Sequence, residues 1–98
     1  MTHYVAIIED AGPDHAVGVW FPDLPGCFSA GDTLDEAMTN AAEAVALWFE
    51  DIEAEGRTSP RARTPSELKA DSEVAADMAK YAIALIPAPE FALQPAAE

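Results

Sequence analysis

FPDLPGCFSAGDTLDEA, residues 21–37, is the stretch that decides the fold of this chain. Pro22 lacks a backbone N–H, so a strand that runs into this stretch must end close to it. Pro25 and Gly26 favour the two central positions of a type II turn, after which the chain re-enters a sheet over residues 27–30. The stretch therefore predicts the end of one strand, a tight turn and the start of another.

A long helix is predicted directly after these strands. Gly31 frees the backbone, and Thr33 and Glu36 form the T-x-x-E pattern of a capping box, in which both side chains satisfy backbone donors at a helix start. Apolar residues then recur at spacings of four and three, namely Leu34, Met38, Ala41, Val45, Trp48 and Ile52. This stripe predicts a helix of about six turns that lies across a sheet and stops at Gly56.

Two β-rich runs precede the opening stretch or overlap its start. Residues 3–9, HYVAIIE, and residues 16–21, AVGVWF, are rich in β-branched and aromatic side chains that alternate between two faces. The intervening DAGPD is typical of a chain reversal. Together with residues 27–30, they predict a three-stranded antiparallel meander.

The second half of the chain repeats the helix-start pattern. Thr64 and Glu67 form a second capping box with proline at the first helical position, which predicts a short helix over residues 65–79 with a break near residues 71–72. Residues 80–87, KYAIALIP, are apolar on both faces and predict a fourth strand buried within the sheet. The predicted class is α+β, with a meander, a long helix, a short helix and a final strand.

Length and composition predict a single domain. The chain has 98 residues, too few for two hydrophobic cores. We assign residues 1–87 to the domain and residues 88–98, which have two prolines and no periodicity, to a flexible tail. No run approaches the roughly 18 apolar residues of a membrane span, and the single Cys27 cannot form an intramolecular disulfide. We expect a cytoplasmic protein that does not contact membranes.

The charge of the chain is strongly negative and unevenly distributed. The formal net charge is −13, and residues 1–56 hold twelve of the eighteen carboxylates and no lysine or arginine. A surface of this kind repels phosphates, so we expect no direct binding of nucleic acid. It attracts a basic protein instead.

No catalytic constellation stands out in the sequence. His3 and His15 are the sole imidazole bases, no motif links them to a nucleophile, and neither zinc-ligand spacing nor a glycine-rich phosphate loop is present. We therefore predict no catalytic residue, metal or cofactor. A metal-dependent nuclease stays open as an alternative, using the carboxylates of Glu9, Asp10, Glu43, Glu50, Asp51 and Glu53. Glu43 and Glu50, however, lie on the polar side of the helical stripe, where a solvated surface accounts for them.

Trp20 is the aromatic residue that most suggests an interface. It alternates with Val17, Val19 and Phe21, so either Trp20 or that trio lies on the sheet face that the long helix does not cover. Exposed aromatic side chains on an open sheet mark contact surfaces.

The order of these motifs resembles the HicB-like antitoxins of bacterial toxin-antitoxin pairs. The likeness spans residues 3–87 and rests on these matching segments: Ile8-Glu9-Asp10, the run VWFPDLPGC from Val19 to Cys27, Gly31-Asp32-Thr33, Glu36-Ala37, Asn40-Ala41, Glu43-Ala44 and Trp48.

The resemblance implies a β-β-β-α-β arrangement similar to part of the ribonuclease H fold, without catalytic activity. It also implies a role as an antitoxin that binds HicA, a small basic ribonuclease that cleaves messenger RNA, and covers its RNA-binding and active site. We expect the antitoxin to be a homo-oligomer, either a dimer or a tetramer. The residues expected to face the toxin are Trp20, Phe21, Asp23, Leu24 and Asp10.

Many members of this family append a DNA-binding module. Here eleven residues follow Pro87 and none is a cation, so we expect a short form that does not bind its operator directly. An orphan oligomeric protein-interaction domain stays open as a further alternative.

Overall fold

The computed structural model describes residues 2–89 and contains four strands and three helices in that range. The elements are β1 (His3–Glu9), β2 (Val17–Trp20), β3 (Phe28–Gly31), α1 (Leu34–Ala54), α2 (Pro65–Lys69), α3 (Ser72–Lys80) and β4 (Ala82–Pro87). The predicted α+β class and element order are confirmed, and the predicted break divides the second helical region into α2 and α3.

The four strands form one antiparallel sheet in the order β3-β2-β1-β4. The prediction that β4 is buried within the sheet is wrong, because β4 lies at an edge and pairs with β1 alone. Its Ile86 packs into the core, whereas Ile83 and Leu85 on its other face are exposed. The apolar residues on both faces of β4 therefore do not reflect a central position in the sheet. One of the two apolar faces is exposed to solvent.

The turn that links β2 to β3 has the predicted geometry. The Cys27 N–H donates to the Leu24 carbonyl at 2.9 Å, and Gly26 has a φ of 83°. An i to i+3 hydrogen bond with a positive φ at the third position defines a type II turn, and glycine adopts that φ without a steric penalty. β2 ends at Trp20, two residues before Pro22.

Both residues of the predicted capping box, Thr33 and Glu36, accept hydrogen bonds from backbone N–H groups at the start of α1. The Thr33 hydroxyl accepts from the Glu36 N–H at 3.1 Å, and the Glu36 carboxylate accepts from the Asp32 N–H at 2.7 Å. The carboxylate thus reaches one residue further back than in a standard capping box. At Gly31 the chain passes close to α1, since a Cβ there would lie 2.5 Å from the backbone nitrogen of Ala37.

The buried stripe of α1 differs in part from the predicted one. α1 packs against β2 and β3 through Ala37, Ala41, Val45, Phe49 and Ile52. Leu34 is exposed because it lies in the first turn, before α1 reaches the sheet at Ala37. Met38 and Trp48 are half-buried at the margin of the core. Phe49, which lies outside the predicted stripe, is buried instead. Its ring packs against the Tyr4 ring, with 5.5 Å between the two ring centroids.

The segment between α1 and α2 contacts β1 and the core. The Tyr4 hydroxyl donates to the Pro60 carbonyl, and Ala62 packs against the core. The capping box at α2 is complete, with the Thr64 hydroxyl accepting from the Glu67 N–H and the Glu67 carboxylate accepting from the Thr64 N–H.

The packed domain includes at least one residue beyond the predicted boundary at residue 87. Ala88, which the sequence assigned to the tail, is buried and donates its N–H to the Thr2 carbonyl at 2.8 Å. Pro89, also assigned to the tail, is half-buried, and the rest of the predicted tail, residues 90–98, lies outside the described residues. Between residues 2 and 89, no helix is both long and apolar enough to cross a bilayer.

Candidate partner-binding surface

Two of the five residues expected to face a partner lie in the core. Phe21 and Leu24 are both buried among the side chains that join the sheet to α1. Phe21 shares its face with Val17 and Val19, which are buried in the same cluster. The prediction that Phe21 and Leu24 form a contact surface is therefore wrong for this protomer.

Asp23 is committed to an intramolecular ion pair. Its Oδ1 accepts from the Arg63 Nε and its Oδ2 from the Arg63 backbone N–H, each at 2.7 Å. The guanidinium also reaches Asp71 Oδ2 at 3.4 Å. Hydrogen bonding to Asp23 raises the pKa of Arg63 above its usual value. Asp23 thus fastens the segment before α2 to the β2–β3 turn.

Trp20 lies on the sheet face opposite α1, one of the two placements that the alternation allowed. It stands opposite Ile7 on β1 and Phe28 on β3. Its ring packs edge-on against Tyr81 at 5.4 Å, and it remains half-buried. Ile7 is buried on this same face, whereas Phe28 is 72% exposed. The centre of this face is therefore covered and its β3 side is open.

Asp10 is exposed but stands apart from Asp23. It follows Glu9, which pairs with Gly18, whereas Asp23 comes three residues after Trp20, which pairs with Ile7. Because β1 and β2 are antiparallel, the two acidic residues lie toward opposite ends of the sheet. The structure does not bring the five predicted residues into one surface.

The acidic residues of α1 instead form an ordered surface, which we term the acidic stripe. Glu36, Glu43 and Glu50 are seven residues apart and all are exposed. At 1.5 Å per residue and 3.6 residues per turn, they project in nearly the same direction at intervals of about 10 Å. That direction is opposite to the buried side of the helix around Val45.

The negative charges of the acidic stripe are not neutralised by ion pairs among residues 2–89. Three arginines in the described region pair with carboxylates outside α1: Arg57 with Glu55, Arg61 with Glu67, and Arg63 with Asp23 and Asp71. Among residues 2–89, no ion pair involves a carboxylate of α1 (Leu34–Ala54). The seven-residue spacing of these glutamates is visible in the sequence, but the sequence pattern alone indicates only an ordinary solvated face for Glu43 and Glu50.

The carboxylates considered for a metal-dependent nuclease are not gathered into a site. Within the described residues, no group of three His, Cys, Asp or Glu side chains is placed to hold a metal ion. Glu9 and Asp10 lie at the end of β1, and the others lie along α1.

The fold and this surface define a class of small acidic α+β domain, with one sheet face packed on a long helix and the other partly open. The chain belongs to the HicB_like antitoxin family of bacterial toxin-antitoxin systems, whose family model matches residues 4–90. The resemblance inferred from the FPDLPGC region is confirmed.

Solved antitoxin structures are similar to this chain. The crystal structure of the Burkholderia pseudomallei antitoxin HicB superimposes with a TM-score of 0.74 at 27% identity, covering 100% of this chain and 71% of that one. The structure of a HicA3 and HicB3 toxin-antitoxin complex matches with a TM-score of 0.67 at 25% identity, over 90% of this chain and 99% of that one.

Curated relatives are similar over shorter stretches. An uncharacterized 14.9 kDa protein from the rep-hol intergenic region of Haemophilus phage HP1 is 53% identical over 47 residues, which are 48% of this chain and 34% of that protein. The match thus spans about a third of the phage protein. A UPF0150 protein of Synechocystis is 45% identical over 61 residues, covering 60% of this chain and 73% of that protein.

Proposed function

We propose that this protein is a non-enzymatic antitoxin that binds a small, basic, HicA-like ribonuclease and blocks its cleavage of messenger RNA. The observation that carries the proposal is the acidic stripe of Glu36, Glu43 and Glu50, which lies on the solvent side of α1 without an ion-pair partner among residues 2–89. Membership of the antitoxin family supports the same role.

Inhibition follows from competition for a positive surface. A ribonuclease that binds the phosphates of RNA must present lysine or arginine side chains to them. A helix with carboxylates at regular intervals offers those cations an alternative anion and occupies the space of the RNA. Complementary charge also accelerates association, because opposite potentials steer the two proteins toward each other.

Charge reversal on the stripe tests this proposal. Glu43→Lys reverses one charge at the centre of the stripe, and we expect it to weaken binding to a co-expressed HicA-like toxin by about tenfold and to reduce rescue of growth. Glu73→Lys on α3 (Ser72–Lys80) is the matched control, since it makes the same charge change at an exposed site outside α1. Equal loss of binding in both variants would favour a general charge effect over a docking surface.

Salt dependence provides a second measurement. Raising ionic strength from about 0.1 M to 1 M shortens the screening length from about 10 Å to about 3 Å. The wild-type complex is expected to weaken over this range, and the Glu43→Lys complex is expected to weaken less. A complex whose affinity does not change with salt would contradict an electrostatic mechanism.

A further inference from the structure

Leu47 is an exposed apolar residue that lies within the acidic stripe. Its side chain is 61% exposed, and helical geometry places it within about 60° of Glu43 and Glu50 around the axis of α1. On a helix, the surface neighbours of a residue lie three and four positions away. Those of Leu47 are Glu43, Ala44, Glu50 and Asp51. The three acidic neighbours are all exposed, so the leucine stands in solvent with carboxylates around it.

The part of α1 that carries Leu47 is fastened to the rest of the domain. The next residue, Trp48, donates from its indole Nε1 to the Pro25 carbonyl in the β2–β3 turn at 2.9 Å. The Trp48 ring also packs edge-on against the buried ring of Phe49, with 5.2 Å between the two ring centroids. A side chain on a fixed backbone loses less conformational freedom when a partner covers it. Leu47 is thus presented to solvent in a defined position.

Leu34, a second exposed leucine of α1, has different surroundings. It is 48% exposed and lies in the first turn of the helix. Its side chain and that of Leu47 point about 140° apart around the helix axis, so Leu34 is not part of the acidic stripe. Its neighbours one turn further along α1 are Ala37 and Met38, which carry no charge. The two leucines therefore have similar exposure, but carboxylates surround Leu47 alone of the pair.

We propose that Leu47 is the apolar anchor with which the acidic stripe recognises its protein partner. This inference rests on the function proposed above and adds the chemistry of the toxin surface, namely an apolar pocket with lysine or arginine side chains around its rim. When Leu47 enters such a pocket it leaves water, and the carboxylates of Glu43, Glu50 and Asp51 face the cations of the rim. An apolar centre inside a polar ring that excludes water is the arrangement found in tight protein interfaces.

Charge decides which kind of partner fits this surface. Residues 1–56 contain no lysine or arginine, and the net charge of the chain is −13. The carboxylates around Leu47 repel the phosphates of a nucleic acid, and a second copy of the chain would bring further carboxylates to them. A basic protein gains from both the apolar and the acidic groups. Charge alone attracts any basic protein, so the leucine supplies selectivity for a partner that has a pocket to receive it.

The affinity of the full chain for a purified HicA-like toxin, measured at about 0.1 M and about 1 M salt, tests the proposal. Leu47→Ala is expected to weaken binding about tenfold, because less apolar surface is buried in the complex. The same loss is expected at both salt concentrations, since ions do not screen apolar burial. Leu34→Ala is the matched control and should bind like the wild type. Leu47→Met keeps an apolar side chain of similar volume and should retain affinity within about threefold.

The anchor and the proposed function fail in different ways. Wild-type affinity in Leu47→Ala, a loss that disappears at high salt, or equal losses in the two alanine variants overturns the anchor, while toxin binding by the wild type still supports the proposed function. A wild-type chain that does not bind the toxin overturns both. Light scattering of the free variants adds a further outcome, because a changed mass of Leu47→Ala with toxin binding intact would assign Leu47 to a contact between copies. Since Leu47 is exposed, thermal unfolding of Leu47→Ala is expected to match that of the wild type.

Discussion

Asp23 and Arg63, forty residues apart in the chain, are joined by two hydrogen bonds of 2.7 Å, one to the guanidinium and one to the backbone N–H of Arg63. The Asp23 side chain is only 9% exposed. The pair therefore fastens the segment that follows α1 to the turn between β2 and β3. A residue that the sequence indicated as a partner contact has a structural role within the protomer.

Loss of Asp23 should destabilise the fold. Asp23→Ala leaves the partly buried Arg63 guanidinium and its backbone N–H without their main acceptor, and hydrogen bonds to charged groups are among the stronger ones. We expect the midpoint of thermal unfolding to fall by about 5 °C or more. Asp14→Ala, in the exposed loop after β1, is the control and should leave the midpoint nearly unchanged. An unchanged midpoint together with lost toxin binding would instead assign Asp23 to a partner surface.

Phe49 should contribute far more to stability than Leu34. Phe49→Ala removes a fully buried ring beside Tyr4, which typically costs about 3–5 kcal/mol in free energy of unfolding. Leu34→Ala, at an exposed position in the first turn, should change it by no more than about 0.5 kcal/mol. Urea unfolding measures both. If Phe49→Ala does not fold, Phe49→Leu gives a smaller loss in the same direction. Comparable losses at the two positions would contradict the observed orientation of α1.

Gly31 should not tolerate a methyl group. In Gly31→Ala the new Cβ would lie 2.5 Å from the Ala37 nitrogen and 2.8 Å from the Glu36 carbonyl carbon, so α1 must move away from β3. Overpacking of this kind costs about 1–3 kcal/mol. Gly18→Ala in β2 is the matched control, because no atom lies within 4 Å of its added Cβ. Alanine at that strand position should stabilise the fold by about 0.5–1 kcal/mol. A neutral Gly31→Ala variant would contradict the close approach.

Glu67 should stabilise the α2 region in a pH-dependent way. Hydrogen bonds from Arg61 and from the Thr64 backbone lower the pKa of Glu67 from 4.5 to about 2. A lowered pKa means that the folded state favours the ionised carboxylate. The stabilisation is therefore complete above pH 4.5 and is lost as the pH falls toward 2. Thermal unfolding of wild type and Glu67→Gln, followed from pH 6 to pH 2, should give midpoints that differ at pH 6 and converge at the acid end. A constant difference across the range would contradict this linkage.

Local patterns in the sequence were reliable guides to the backbone. Pro25 and Gly26 indicated the type II turn, and the capping residues Thr33 and Thr64 indicated where α1 and α2 begin, because each acts on backbone groups within a few residues. The predicted break near residues 71–72 also matches the boundary between α2 and α3. The apolar stripe of α1 was less reliable, since spacing alone did not reveal that the sheet is reached at Ala37 and that Phe49, not Trp48, fills the core.

The candidate surface was harder to predict than the fold. Trp20 and Phe21 are adjacent in a strand, so one must project to each face, but alternation does not say which face is solvated. Leu24 was indistinguishable in the sequence from an exposed turn residue. The Asp23–Arg63 pair could not be found from either residue's neighbourhood, because its partners meet after the chain has passed through α1.

The sequence by itself determined the element order, the turns and caps, the family and the acidic character of the first 56 residues, since these depend on local backbone preferences and on composition. The tertiary structure alone decided that β4 is an edge strand with Ile83 and Leu85 exposed, that Phe21 and Leu24 are core residues, and that Asp23 binds Arg63. Those outcomes depend on which surfaces distant segments bury against one another, and burial is a property of the packed chain rather than of any one stretch of it.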